Sequence, residues 1–462
     1  MLKLADSVQG NCGFYILGIE YQQLLLIYQT VMKKLFLLSI TAAAMMACSS
    51  SNDIEPEPEP EGGVVIDMLA QTSTIQLTGE QRAFVDYNTD FSFRLFRTIS
   101  GMPAGQKSSI VSPISVTYVL GMLNDGAAGQ TASEITSVLG FGEGNAKAVN
   151  EFCKTMIDEA PKTDPSVTLE IANTIISNEK RDVQLEEQYS QDMSQYYSAQ
   201  LSSFDFSKSA EAVGKINAWC KDKTHGMIPE ILKESELSPD ALLVLMNAIY
   251  FKATWTEKFD SKDTRNETFT TANGQKQELP MMHRKARIMS AQNDVYTTIE
   301  LPYGSGTRWS MTVMLPNDGK TIDDIIQSLN SNTWRQVQRS SRTVIADIKI
   351  PRFTTKFETD LVQPLTAMGA PSMFDGSVAE FPNISTNYKH ELYVALMKQK
   401  AAIEVDEEGT KASAVTIAEV KDESAGPSPE PKKIDFHCNR PFVYVIQEYS
   451  SGVVFFVGTF RG

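Results

Sequence analysis

The chain has 462 residues, 42% of them hydrophobic and 21% charged, enough for one large domain or two to three smaller ones. Its formal net charge of −15 works against binding to nucleic acid or to anionic membrane surfaces. Basic residues never run longer than a pair, as at Lys33-Lys34 and Lys432-Lys433, so no nucleic-acid-binding patch is expected.

The first punctuation in the chain is Met32-Lys33-Lys34, followed by the apolar residues 35–46 and then Ala47-Cys48-Ser49-Ser50. A basic start, an apolar stretch and a small residue before the cut make residues 32–47 a secretory signal. The signal resembles the bacterial lipoprotein type, in which Cys48 becomes the lipidated first residue of the mature chain, although Met45 stands where leucine is usual. A plain signal peptide with an incidental cysteine is the alternative; a membrane span would need about 20 apolar residues. Residues 1–31 then read as an upstream extension that the mature protein lacks.

Residues 48–72 form an expected tether. The alternation Glu55-Pro56-Glu57-Pro58-Glu59-Pro60-Glu61 repels itself, cannot pack and prefers extended polyproline II. At about 3.1 Å per residue it reaches up to about 75 Å, a spacer that is useful only if its far end is held. An acidic stretch after the cysteine also resembles surface-export signals of some Gram-negative lipoproteins. The expected location is therefore a Gram-negative outer membrane, on its periplasmic or outer face, or the exterior by secretion.

Residues 73–462 read as one α+β domain. Phe84, Tyr87, Phe91, Leu95 and Phe96 recur at helical spacing, as do Val116, Val119, Leu120 and Leu123 before the turn signal Asn124-Asp125-Gly126. Residues 242–251 are almost continuously apolar, as in a strand covered on both faces. Residues 311–315 are a strand closed by the turn Pro316-Asn317-Asp318-Gly319, and residues 443–446 and 453–457 form a hairpin around Ser450-Ser451-Gly452. Cys153, Cys220 and Cys438 are too widely spaced for a disulfide framework, so packing must supply the stability.

The most informative stretch begins with a strand at 401–405 and passes through Asp406-Glu407-Glu408-Gly409 to residues 410–421. In that run the even positions Thr410, Ala412, Ala414, Thr416, Ala418 and Val420 are all small or apolar. The odd positions Lys411, Ser413, Val415, Ile417, Glu419 and Lys421 suit solvent. This is the period of a half-buried strand, with an inward row small enough to slide into a crowded gap. The breaker-rich residues 422–431 place it on an exposed loop, before a strand resumes at Ile434. An edge strand with a proline-rich hairpin loop fits the parity equally well.

Several further segments, in order, resemble the serpin family. Glu407-Glu408-Gly409-Thr410 and the residues Lys411, Ala412, Ser413, Ala414, Val415 and Thr416 look like the hinge of an inhibitory reactive-centre loop, here spanning about 407–433. Ser112-Pro113-Ile114-Ser115 resembles the family's shutter segment, and Ile216-Asn217-Ala218-Trp219 with Thr224-His225-Gly226-Met227-Ile228 its helix-to-sheet region. The stretch from Asn247 to Trp255, with Phe259, Lys262-Asp263-Thr264 and Phe269, follows the breach strand and gate. Pro280-Met281-Met282, Ile350-Pro351-Arg352-Phe353, Asn439-Arg440-Pro441-Phe442 and Phe456-Val457-Gly458 fit as well. Two departures stand out: Gln399 occupies the place of a common shutter histidine, and the loop is long.

The resemblance implies one large domain with three β-sheets, eight to nine helices and an exposed loop. It also implies a monomeric, irreversible inhibitor of serine, or cysteine, endopeptidases: the loop is cut, then inserts into the central sheet while the protease is still held as a covalent acyl complex. Counting seventeen residues from Glu407, the family spacing places the cut at Glu423-Ser424, with Lys421, Val420 and Ala425 the other candidates; counting back from Pro441 lands instead near Glu430, where Pro431 should hinder cleavage. A non-inhibitory serpin acting as a binding or carrier lipoprotein is the competing reading. No enzyme activity, cofactor or metal is expected. Gly304-Ser305-Gly306 is no nucleophile elbow, His225, His283, His390 and His437 stand isolated, and Glu407-Glu408 read as solvated hinge charges.

Overall fold

Local sequence chemistry sets the first helix. In α1 (Gly79–Ser100) Thr78 and Gln81 close a reciprocal capping box, and Phe84, Phe91, Leu95 and Phe96 are buried. Tyr87, on the same expected stripe, is 43% exposed; it only flanks Phe84 and Phe141 edgewise at the rim. The computed structural model describes residues 72–142, 145–305, 308–410 and 431–462, all within one compact unit, Gly62–Gly462. Cys48 and residues 411–430 lie outside them.

Eight more α-helices follow among the described residues: α2 (Pro113–Gly126), α3 (Gly129–Leu139), α4 (Ala146–Glu159), α5 (Glu187–Tyr197), α6 (Ser209–Lys223), α7 (Ile322–Ser328), α8 (Ser331–Ser340) and α9 (Val362–Met368). The turn signal at Asn124-Asp125-Gly126 ends α2 from within: the helix runs through Gly126, which packs so closely on Ile384 that a Cβ there would clash. The helices dominate the first half and strands the second, as the α+β reading expects.

The strands are β1 (Ser109–Val111), β2 (Val167–Asn178), β3 (Gln200–Phe204), β4 (Leu243–Thr254), β5 (Arg265–Thr270), β6 (Lys276–Gln292), β7 (Tyr296–Tyr303) and β8 (Trp309–Pro316). They continue with β9 (Arg342–Pro351), β10 (Phe353–Asp360), β11 (Lys398–Val405), β12 (Gly409–Thr410), β13 (Lys433–His437), β14 (Phe442–Glu448) and β15 (Val454–Phe460). They form three sheets: a nine-stranded one ordered β1-β15-β14-β8-β7-β6-β9-β13 with β5 on β6, a four-stranded one ordered β12-β4-β2-β3, and the pair β10-β11. The expected terminal hairpin is β14-β15, which pair antiparallel.

The apolar run at 242–251 is β4, but it departs from the expected two-sided burial. Residues 243–247 are only half-buried, whereas Tyr250, Phe251, Ala253 and Thr254 are buried. On its far side β4 pairs with β2 along nearly its whole length; on its near side only the last two residues meet a partner, β12. An interior strand's sequence thus sits at an open edge.

Cys153, Cys220 and Cys438 are free and buried. No described helix is long and apolar enough to cross a membrane. Phe353 of β10 packs against Phe460, Tyr444 and Phe442 of β14 and β15 at ring-centroid distances of 4.8, 5.6 and 5.9 Å, joining the small sheet to the large one. Phe353→Ala is expected to destabilise the protein by about 3–5 kcal/mol, read from the midpoint of denaturant unfolding.

Candidate functional site

At its upper end β11 turns back on itself. Asp406 N donates to Gly409 O at 3.0 Å, and the Asp406 carboxylate accepts the amides of Glu408 and Gly409 at 2.9 and 3.1 Å, so the reversal is closed by its own first residue. The chain then enters β12, where Gly409 faces Thr254 and Thr410 faces Ala253 in antiparallel register. Trp255 N donates to Glu408 O and Trp255 Nε1 to Asp406 O, both at 2.9 Å. The indole stacks on Tyr303 at 4.4 Å, and the Tyr303 hydroxyl lies 2.9 Å from Thr410 Oγ1.

Glycine is required at 409 for two reasons. Its φ of 142° lies where side chains are rarely tolerated, and a Cβ would stand 2.4 Å from Ala253 O and 2.6 Å from Thr254 Cα. The hinge can meet β4 only because this residue has no side chain.

The two acids before it differ from the solvated pair that the sequence suggests. Glu407 is only 7% exposed: it accepts from Thr264 Oγ1 at 2.6 Å and from the Arg352 guanidinium on both carboxylate oxygens. Burial alone would raise its pKa, but the bonds from Arg352 and Thr264 outweigh burial and hold it below its ordinary value of 4.5. Glu408 is half-exposed and pairs with Lys258 at 2.6 Å. A charged group is affordable in the buried position because a fork of matching geometry meets it. Thr264 and Arg352 lie in segments the sequence singled out, but nothing local to either says that it grips Glu407. Tyr303 and Lys258 carried no signal at all.

Below the hinge, β4 and β11 share no ladder. Between them lies a cleft lined by Leu245, Asn247 and Ile249 from one strand and Gln399, Ala401 and Ile403 from the other. Its floor is the N-terminus of α2. Gln399 brackets the Ser112 backbone, accepting from Ser112 N at 3.0 Å and donating to Ser112 O at 2.8 Å. Ser115 Oγ donates to Asn247 Oδ1, and Asn247 Nδ2 donates to Asn173 Oδ1 at 2.9 Å. Ser112, Ser115, Asn247 and Gln399 thus gather in one place, whereas Trp255 stands apart from them, bonded to the turn at Asp406 and Glu408. Among the described residues, Ser112 Oγ is buried without a hydrogen-bond partner.

Glu407, Glu408, Gly409 and Thr410 are therefore placed. Lys411, Ala412, Ser413, Ala414, Val415 and Thr416 fall outside the described residues, as do the cut-site candidates Val420, Lys421, Glu423, Ser424 and Ala425.

The histidines are not all isolated. His283 and His437 both approach Asp347 Oδ1, at 2.9 and 3.2 Å, because β6, β9 and β13 lie side by side; His225 meets Glu170 at 2.9 Å. Strand pairing across 154 residues of chain joins His283 to His437, which spacing along the sequence cannot show. Burial pushes the thiols of Cys153 and Cys220 up to about 12 and about 11, away from nucleophilic chemistry.

A family model described as "Serpin (serine protease inhibitor)" matches residues 86–461. The chain belongs to the serpin family. The human relative glia-derived nexin is 33% identical over 365 residues, covering 76% of this chain and 86% of its own. The solved structure of a thermophilic serpin, tengpin, in the native state has a TM-score of 0.73 at 25% identity and covers 86% of this chain and 98% of its own. Thyroxine-binding globulin in complex with thyroxine shares the fold, with a TM-score of 0.71 at 23% identity over 82% of this chain and 99% of its own. In this serpin, then, the cleft lies in the sheet beside the hinge of the loop, and the family's members are generally protease inhibitors and not catalysts.

Gly409→Ala should cost the hinge about 1–3 kcal/mol and speed amide exchange at Thr410, read by hydrogen–deuterium exchange. Since Glu407 has a folded pKa below its unfolded one, its stabilisation is complete above about pH 4.5 and is lost as pH falls through the lower folded value. Protection of the Phe259 amide, which donates to Glu407 O at 3.0 Å, should fall over that acid range in the wild type but show no such step in Glu407→Gln.

Proposed function

We propose that this serpin inhibits serine endopeptidases irreversibly, one protease per molecule, by inserting its cleaved loop between β4 and β11. The observation that carries this reading is β12, a strand of two residues already lodged at the top of the cleft and antiparallel to β4. Continuing the register Thr410↔Ala253 sets Ala412 opposite Phe251, Ala414 opposite Ile249, Thr416 opposite Asn247 and Val420 opposite Leu243, where β4 ends. The inward row is then the small one. Thr416 comes level with the polar floor, where the Ser112 hydroxyl has no partner.

The chemistry belongs to the protease. Its serine oxygen attacks the carbonyl of the scissile bond, the C–N bond breaks, and the new amino terminus stays on the side of β13. The segment ahead of the cut, esterified to the enzyme, is then free to slide into the cleft. Each ladder bond gained stabilises by about 0.5–1.5 kcal/mol, so ten or more rival the 5–15 kcal/mol of a whole domain. The uncut form is a kinetic trap. Glu423-Ser424 is our first choice of bond, three residues past the end of the β4 register; Lys421, Val420 and Ala425 would suit trypsin-like and elastase-like enzymes. We further propose export through the signal at 32–47, with the domain from residue 73 held at a Gram-negative membrane by lipid on Cys48.

Mixing the protein with Glu-specific, trypsin-like and elastase-like proteases should give an SDS-stable complex with at least one of them. Thr410→Arg should instead be cut without a complex, because a long charged side chain overpacks the gap. Ala414→Arg, which leaves the contacts of residues 406–410 intact, should behave the same way. Cleaved wild-type protein should melt well above the intact form. Clean cleavage with equal melting temperatures would instead favour the carrier reading. Loss of labelled palmitate in Cys48→Ala checks the anchor.

A further inference from the structure

The face of the large sheet formed by β6, β9 and β13 carries a cluster that the inhibitory reading does not use. In register, His283 of β6, Lys349 of β9 and His437 of β13 form one row, and Lys285, Asp347 and Asp435 the next. Partners in a row, and rows two residues apart, point to the same side of a sheet. Both imidazole Nε2 atoms converge on Asp347 Oδ1, at 2.9 Å from His283 and 3.2 Å from His437. Asp347, Asp435 and His437 also place one donor atom each within 4.8 Å of one another.

Two lysines stand within these two rows, and neither blocks them; Arg287 and Lys433 stand one row further along the same face. Lys349 stands between the histidines, but its Nζ is drawn towards β5, where it donates to both carboxylate oxygens of Glu267 at 2.8 Å. Lys285 reaches the other oxygen of Asp347, Oδ2, at 3.4 Å with a side chain 72% exposed, so it is free to swing into solvent.

We propose that His283, Asp347, Asp435 and His437 bind a divalent transition metal of the zinc class, which fastens β13 to β9 and β6. The spacing supports this: metal–donor bonds of about 2.0–2.1 Å in a tetrahedral site put neighbouring donors about 3.3 Å apart, close to the 2.9 and 3.2 Å from the two imidazoles to Asp347, while Asp435 comes within 4.8 Å of Asp347 and His437, so it must close in by about an ångström or more. Imidazole nitrogen with carboxylate oxygen selects this class over magnesium or calcium, which prefer oxygen alone. On binding, each Nε2 proton is lost or moves to Nδ1, and the lone pair turns to the metal where the proton now points to Asp347.

The position gives the site a consequence. Among the described residues β13 ends the sheet, pairs only with β9 and is the first strand after residue 410. Two of the four donors lie on it, so the metal is held fully only while β13 is docked, and by linkage it stabilises the docked strand. The inference stands apart from protease inhibition and holds or fails without it.

The full chain, titrated with zinc chloride, should melt about 2 °C or more higher, with the shift reversed by EDTA and not reproduced by magnesium. Cobalt(II) should give the visible absorption of a tetrahedral site. His283→Ala and His437→Ala should each weaken zinc binding about tenfold or more, while Lys285→Ala should keep it. Zinc should also slow amide exchange in residues 433–437. A melting temperature that zinc leaves unmoved, a His437→Ala variant that binds as tightly as wild type, or unchanged exchange in β13 would each overturn the proposal.

Discussion

Two strand edges face each other across a cleft with no ladder between them, and the rest of this molecule is arranged around that fact. Backbone amides and carbonyls are obligatory hydrogen-bonding groups, and an open edge is a template for any strand that can reach it. β4 and β11 run in the same direction, so one strand descending from the turn at Asp406 is antiparallel to both. β12 shows that direction already taken for two residues.

The turn between β11 and β12 is held by several independent contacts. The turn is anchored on three sides: Trp255 holds its backbone, Arg352 and Thr264 hold Glu407, and Lys258 holds Glu408. These contacts fix where β12 begins against β4. The cleft is lined mostly by apolar side chains, with one polar group at the N-terminus of α2. Gln399, Ser112, Ser115 and Asn247 hold α2 to both strands, and any insertion must pass between groups that are already hydrogen-bonded. A network of this kind resists opening yet re-forms around a small polar side chain such as threonine.

The far side of the loop obeys a different constraint. β13 is an edge strand held along one side only, and its outward face collects histidine and carboxylate from three strands. The loop thus runs from a hinge secured by an arginine–glutamate fork to an edge strand whose docking is open to adjustment by what binds on its face.

Much of this was legible in the residues themselves. Periodicity alone marks α1, β8 and the β14-β15 hairpin, because turn residues and side-chain alternation are local properties. The parity of residues 410–421 reads as a strand with a small inward row, of which only Thr410, in β12, lies among the described residues. Tertiary structure decided the rest. Residues 242–251 read as a strand covered on both faces, and only the sheet order reveals that one of its edges is largely unpaired among the described residues. Glu407 reads as a solvated acid because its partners, Thr264 and Arg352, are 143 and 55 residues away. His283 and His437 read as isolated because parallel pairing of β13 with β9 is invisible in one dimension. Side-chain alternation is written in neighbouring residues, whereas a burial, a charge pair or a cluster of donors exists only once distant segments are brought within a few ångströms.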